Sequence, residues 1–400
     1  MNYLGGGLAV WFLLTVIPLV TVLVVGLTRI RAARRHRVTD EGPVPVSQVE
    51  ILVPLKGRMP EQEKILTSLL EQRYPRYDVV FVLESEDDPG NVMVDELCSR
   101  YSHARKVISG VADVCAQKNH GLVAGVGNLR PETEILVFCD STNAAAPDWL
   151  EYFTAPLRSG EAQAVSTFRA FDPRPETLAG VCQAIYASFI LVLLMIKPKP
   201  WGGATGIRRA VFEALNVAEA WSRTVVDDLV LGNILDRARI DVHMRPRHLL
   251  RSPLRNQTVE GFLSYLDRQI LFPKFTNPGI WFVTLTVILS LTLASYLSLA
   301  VTILFLFGYG EPYGAWICLG FLAVLGSALL VLRRVSPFPV SVAKWVSAFF
   351  PLLALASFVY LRSIVVNHID WHGRRYRPGK GGVVLCTTYP SSGNDLRELS

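Results

Sequence analysis

The sequence predicts an α/β domain inserted between one N-terminal transmembrane helix and a C-terminal α-helical membrane bundle. Three observations carry that prediction. A bilayer-length apolar run near the start closes on a basic block, short apolar strand-like runs then alternate with helical stretches, and long apolar runs return after residue 275. Half of the 400 residues are hydrophobic, the net charge is +6 and the mean hydropathy is +0.32. That is too apolar for a soluble domain of this length and makes a membrane protein the default.

Residues 9–27 form an almost uninterrupted apolar run, about long enough to cross a hydrocarbon core of ~30 Å. The run ends in Arg29, Arg31, Arg34, Arg35, His36 and Arg37. A cleaved secretory signal carries its positive charge before the apolar run and a small-residue cleavage site after it. Here the basic block follows, so residues 1–28 read as an anchor and 29–47 as a basic linker. Lys and Arg in short flanks stay on the cytoplasmic side, which puts the following domain inside the cell. The six cysteines show neither CxxC spacing nor a His pattern for zinc and read as free thiols in a reducing compartment.

Across residues 48–275 the alternation of strand-like and helical runs is the signature of an α/β domain with a largely parallel sheet. Residues 49–54 are the first strand, leaving through Pro54-Leu55-Lys56-Gly57. A helix over 61–72 follows, with Ile65, Leu66, Leu69 and Leu70 at helical spacing. The strand over 78–83 runs into Glu84, Ser85, Glu86, Asp87, Asp88 and Pro89, and the strand over 134–139 delivers Asp140 at its carboxyl end. Ligands of open α/β sheets sit at those strand ends, so Asp87, Asp88 and Asp140 are expected to converge on one crevice.

After Phe275 the chain is apolar again. Residues 280–307 suit one tilted helix or two joined by a tight bend, and 314–332 and 345–361 are further spans of a bundle over 276–366. Residues 367–400 read as a tail, basic and then polar. Three plain crossings from a cytosolic domain would put that basic tail outside, against the positive-inside rule. The reading adopted is a cytosolic tail, reached by a hairpin in 280–307 or by one segment lying in the interface. The apolar stretch 178–196, followed by Lys197-Pro198-Lys199-Pro200-Trp201, reads as an interfacial or membrane-associated helix. A crossing there would separate Asp140 from Asp228 by a membrane.

Two acidic sites stand out: Asp140 after its strand, and Asp227-Asp228 at the start of a helix over 229–238. An acidic pair at a helix start also complements the helix dipole, and Asp-Asp-Pro-Gly is equally good turn chemistry. Gly202-Gly203-Ala204-Thr205-Gly206 lacks the spacing of a dinucleotide fingerprint.

The order of these motifs is what identifies them. Pro54-Leu55-Lys56-Gly57, Glu86-Asp87-Asp88-Pro89, Gln117-Lys118 with Leu122, Cys139-Asp140-Ser141, Trp201-Gly202-Gly203 through Arg208-Arg209, and Val226-Asp227-Asp228 occur in sequence. Together they resemble the processive-type inverting glycosyltransferases of family 2 type with the GT-A (nucleotide-diphospho-sugar transferase) fold, and within them the ceramide glucosyltransferase-like branch. They are also similar to glycosyltransferases associated with hopanoid biosynthesis. The resemblance implies transfer of a hexose, glucose from UDP-glucose, to a lipid hydroxyl, ceramide being the favoured acceptor. It implies Asp228 as general base with Asp227 beside it, and Asp140 as ligand of Mg2+ or Mn2+. Asp87, Asp88 and Lys118 would hold the nucleotide, with Glu84 as a helper. Thr142 stands where the commoner pattern has a second Asp, as in the ceramide branch. The last motif is represented by Arg268-Gln269-Ile270-Leu271-Phe272, which keeps Arg268 for the diphosphate and carries Leu271 in place of an internal arginine. The implied partners are a nucleotide sugar, a lipid and the membrane, with no nucleic acid. Two other readings stay open, a processive polysaccharide synthase and a catalytically silent sugar-nucleotide-binding scaffold.

Overall fold

A computed structural model describes residues 2–35, 44–338 and 340–389. His36 and Arg37 of the basic linker, and the last eleven residues of the tail, lie outside the described residues. By its internal contacts the chain forms two compact units. One comprises Met1–Ile30, Ala170–Ile196 and Leu254–Val366, the other Arg31–Arg169, Lys197–Pro253 and Asn367–Ser400.

In chain order the elements begin with helix α1 (Asn2–Arg35), followed by β1 (Val49–Pro54), α2 (Gln62–Leu70), β2 (Tyr77–Leu83), α3 (Asn91–Arg100), β3 (Ala104–Ile108), α4 (Gln117–Val126), β4 (Ile135–Cys139), α5 (Trp149–Ser159) and β5 (Ala164–Ser166). Strand β6 (Arg169–Pro173), α6 (Leu178–Ile196), β7 (Ala204–Arg208), α7 (Arg209–Ala214), α8 (Val217–Trp221), α9 (Asp228–Arg237), β8 (Val242–Met244) and β9 (Leu250–Leu254) come next. The chain closes with α10 (Val259–Thr276), α11 (Pro278–Leu306), α12 (Pro312–Arg333), α13 (Val342–Ser347), α14 (Phe349–Val365), β10 (Ile369–Trp371), β11 (Arg374–Pro378) and β12 (Val384–Thr388).

The α/β unit is built on a seven-stranded sheet ordered β3-β2-β1-β4-β7-β5-β8. Strands β1 to β4 are mutually parallel, while β7 runs antiparallel to both β4 and β5. The sheet is therefore largely parallel, as expected, and mixed only at β7. The inner strands are apolar because they are buried on both faces: Ile51, Leu52, Val79, Val80, Leu136 and Val137 are fully buried. Buried Glu50 on β1 is tolerated because Arg105, the Arg130 amide and the Thr133 hydroxyl all bond its carboxylate. Strand β3 escaped sequence reading because it is a half-exposed edge carrying Arg105 and Lys106, without an apolar run. The run Ile65, Leu66, Leu69 and Leu70 is the buried face of α2, as its spacing required.

Among the described residues, five helical segments are long and apolar enough to span a membrane: Gly7–Arg35, Leu178–Ile196, Pro278–Leu306, Pro312–Arg333 and Val342–Val365. The chain is a membrane protein. The run read as a possible hairpin over 280–307 is instead one continuous helix, α11. It contains no turn residue until Gly308 and Gly310, both at positive φ, end it. Helices α6 and α10 group with these apolar helices; α6 packs against α10, α12, α13 and α14. Trp11, Trp281 and Trp345 find partners for their indole N–H inside the unit, as low dielectric favours: Trp11 Nε1 donates to Ser290 Oγ, Trp281 Nε1 to Ser363 Oγ and Trp345 Nε1 to the Leu329 carbonyl.

The segment read as a tail folds in part. Strands β10, β11 and β12 form an antiparallel sheet that belongs to the α/β unit.

Candidate active site

The carboxyl ends of the parallel strands gather the polar residues. Lys56 follows β1, Glu84 follows β2 and Asp140 follows β4. Because β7 is antiparallel to β4, its entry at Gly202-Gly203 lies beside Asp140, whose amide donates to the Gly203 carbonyl at 3.2 Å. Helix α4 starts at Gln117-Lys118 and α9 at Asp228, so two helix starts meet the same sheet edge.

Lys118 is the hub of an ion cluster. Its Nζ lies 2.9 Å from Asp140 Oδ1 and 3.1 Å from Asp227 Oδ2, and donates to the Gly202 carbonyl at 3.0 Å. Asp228 Oδ2 accepts from the Gly202 amide at 2.9 Å, and Oδ1 from the Leu229 amide at 2.7 Å. The Asp227 carbonyl is held by Trp221 Nε1 at 3.0 Å. Position 202 requires glycine on contact grounds: a Cβ there would stand 2.6 Å from Asp227 Oδ2 and 2.9 Å from Lys118 Nζ.

The electrostatics follow from this packing. Burial, and then the neighbouring Asp227 charge, push the Asp228 carboxyl up to about 6, against the opposing pull of Lys118 and the two amides. Burial pulls the Lys118 ammonium down, but Asp140, Asp227 and Asp228 outweigh it and hold the ammonium above the usual lysine range. A carboxylate poised near neutrality, hydrogen-bonded but not ion-paired directly to Lys118, has the properties of a general base.

Three carboxylates face one ammonium, leaving an excess of negative charge that suits a divalent cation. No group of three or more His, Cys, Asp or Glu side chains disposed to hold a metal occurs among the described residues. Asp140 commits Oδ1 to Lys118. Its donor set fits Mg2+ or Mn2+ carried mainly by nucleotide phosphates and water, which needs only one or two protein carboxylates.

The other predicted residues divide. Asp88 is spent on its own loop, accepting from the Gly57 amide at 2.9 Å and the Gly90 amide at 2.8 Å. Asp87 is exposed beside it. Glu84 pairs with Arg374 Nη2 at 2.6 Å and lies 3.7 Å from Lys56. Arg268 is on α10, in the helical unit. Leu271, in the place of the motif arginine, is buried.

Sequence reading missed Arg374, Gln117 as a bridging residue, and Asn119, whose Nδ2 donates to the Thr224 carbonyl at 3.0 Å. A usable signal existed for the first. His372-Gly373, both at positive φ, make a two-residue hairpin turn, and Arg374 to Pro378 alternate buried and exposed.

The sequence profile of glycosyl transferase family 21 matches residues 11–384. A ceramide glucosyltransferase from Komagataella phaffii is 37% identical over 102 residues, a stretch that is 25% of this chain and spans only 20% of that relative. Among solved structures, the chain is similar to a mannosyltransferase from Pyrobaculum calidifontis in complex with GDP-mannose and Mn2+. The TM-score is 0.42 at 14% identity, over 88% of this chain and 99% of that one. It is also similar to glucosyl-3-phosphoglycerate synthase from Mycobacterium tuberculosis in complex with phosphoglyceric acid, with a TM-score of 0.36 at 16% identity, over 59% and 78% of the two chains. The central mixed sheet and the apolar helices are elements the sequence predicted. The family profile takes in anchor, sheet, apolar helices and C-terminal strands alike, and the chain is a member of glycosyl transferase family 21.

Proposed function

We propose that the protein transfers a hexose, glucose from UDP-glucose, with inversion to the hydroxyl of a membrane lipid, ceramide being the favoured acceptor. The observation that carries this reading is Asp228, fixed by the Gly202 and Leu229 amides and pushed up to about 6 beside the Lys118 cluster. The acceptor oxygen forms its bond to the anomeric carbon while Asp228 takes the hydroxyl proton. The bond from that carbon to the phosphate oxygen breaks on the opposite face, and UDP leaves with the electron pair. One proton and one glycosyl group move, and the configuration inverts.

Lys118 supplies positive charge to the diphosphate side, and Asp140 would hold a divalent cation there. When bound, that cation neutralises charge on the departing diphosphate. Asp87, exposed beside the loop that Asp88 builds, is assigned to the nucleoside with Glu84 as helper. Arg268 is assigned to the diphosphate on its motif alone. The basic end of α1 and Arg333-Arg334 support a cytoplasmic catalytic unit.

The test is transfer of labelled sugar from UDP-glucose and UDP-galactose to ceramide, diacylglycerol and hopanoid acceptors, with and without Mn2+. One glycolipid made from UDP-glucose and ceramide supports the reading. Polymer, or no product from folded protein, contradicts it in favour of a polysaccharide synthase or a silent scaffold.

A further inference from the structure

The C-terminal sheet touches Lys56, Glu84, Gln117 and residues 223–225, segments that surround the ion cluster. Arg374 on β11 is buried, its side chain 4% exposed, and bonds Glu84 Oε1 at 2.6 Å through Nη2. Its Nη1 donates to Gln117 Oε1, on the residue directly before Lys118. Tyr376, fully buried two residues on, accepts from the Gln117 amide at 3.3 Å. Lys56 donates to the His372 carbonyl at 3.1 Å.

On the other side of the cluster, Val383 bridges Thr224, the Val225 amide donates to the Gly382 carbonyl at 2.9 Å, and the Val384 amide to the Arg223 carbonyl at 2.8 Å. Residues 223–225 lead straight into Asp227 and Asp228. The same stretch is tied to the start of α4, since the Thr224 carbonyl accepts from the Ala116 amide at 3.1 Å and from Asn119. One small sheet thus fixes the chain before Lys118 and the chain before Asp227, the two sides of one ion pair. Glu84, which Arg374 orients, keeps Oε2 buried with no hydrogen-bond partner among the described residues, Lys56 Nζ standing 3.7 Å from it. A buried acceptor left open at a strand's carboxyl end suits a hydroxyl or N–H of an incoming ligand.

We infer that the C-terminal sheet is a clasp on the donor side of the site, and that Arg374 is the positioning residue through which it sets affinity for a nucleoside diphosphate. The inference rests on the transferase reading above and deepens it. Arg374 orients Glu84 and Gln117 at once with two guanidinium edges, a geometry that one lysine ammonium does not reproduce.

The experiment is calorimetric titration of UDP into the full-length protein in detergent, for wild type, Arg374→Gln, Arg374→Lys and Arg377→Gln. The last removes the same charge from the exposed face of the same strand. Loss of a charge-assisted pair is expected to weaken UDP binding about ten-fold or more in Arg374→Gln. Arg374→Lys should fall between, and Arg377→Gln should match wild type. In turnover the KM for the donor should rise while that for the acceptor stays.

Unchanged UDP affinity in folded Arg374→Gln overturns the inference alone, as does equal weakening in Arg374→Gln and Arg377→Gln. If Arg374→Gln does not fold, Tyr376→Phe decides, because it deletes only the hydroxyl that meets the Gln117 amide and the Arg374 side chain. Weaker UDP binding with an unshifted thermal midpoint supports the clasp, and unchanged binding rejects it. Wild type that binds neither UDP nor GDP overturns the transferase reading together with the inference.

Discussion

The Gly202 amide and the Asp228 carboxylate are joined by a 2.9 Å hydrogen bond, so the backbone entering β7 holds the first residue of α9 in place. The same glycine presents its carbonyl to Lys118. One residue without a side chain therefore binds both Asp228 and Lys118.

Gly202→Ala tests that arrangement. The added methyl would meet Asp227 Oδ2 at 2.6 Å and Lys118 Nζ at 2.9 Å. Displacing either group by a fraction of an ångström is expected to lower kcat about 100-fold. Overpacking should cost about 1–3 kcal/mol of stability. Steady-state kinetics with a thermal melt on the same preparation checks both.

The pH dependence has a definite sign. Asp228 acts as base only when ionised, so kcat/KM should rise with pH through an apparent pKa of about 6 and fall away below it. Stability runs the other way. The folded-state pKa lies above the ordinary value of 3.8, so ionising Asp228 opposes folding. That opposition is absent below the ordinary carboxylate range, grows between the two values and is complete above the folded one. Asp228→Asn should therefore melt at a higher temperature than wild type at pH 8, with the difference vanishing near pH 4. Scanning calorimetry at the two pH values measures it.

Lys118→Met leaves three carboxylates without their ammonium. Lys118 opposes the upward push on Asp228, so the apparent pKa of kcat/KM should move up in any residual activity. Removing one partner of a buried ion group costs about 3–5 kcal/mol, and Lys118 is 14% exposed, which places the expected loss near the lower figure. A pH–rate profile and a denaturant titration give the two readings.

Membrane topology is also testable. Pro253 and Asn367 both belong to the α/β unit, so an even number of complete crossings lies between them. Helix α11 is continuous and Arg333-Arg334 favour the cytoplasmic side, so α11 and α12 are expected to cross, and α13 and α14, interrupted at Ala348, are expected not to. In a Cys386→Ser background, Tyr309→Cys should react with an impermeant maleimide added outside intact cells. Ser336→Cys should react only after permeabilisation.

Much of the site was legible in the sequence because its residues follow apolar strands or start helices. Asp140 ends the buried run Ile135–Cys139, and Asp228 opens an amphipathic helix. The donor-side clasp was illegible for the opposite reason. Strands β10 to β12 are short, and alternating Arg374, Arg375, Tyr376 and Arg377 read as a basic tail unless their two-residue periodicity is counted. The division into units was likewise hidden. Residues 178–196 and 259–276 flank the sheet's last strands in sequence but pack with apolar helices, a long-range choice that local periodicity does not encode. Asp88 accepts from the Gly57 and Gly90 amides and so ties the exit of β1 to the turn before α3, a structural role that its place before Pro89-Gly90 also suits.

The most direct test of the account is the rate of glucose transfer from UDP-glucose to ceramide by wild type and Asp228→Asn, with UDP affinity measured in parallel. Wild type should form a single monoglycosylated lipid, and Asp228→Asn should bind UDP normally while turning over about 1,000-fold more slowly. Turnover by Asp228→Asn within a few-fold of wild type would contradict the assignment of Asp228 as the base.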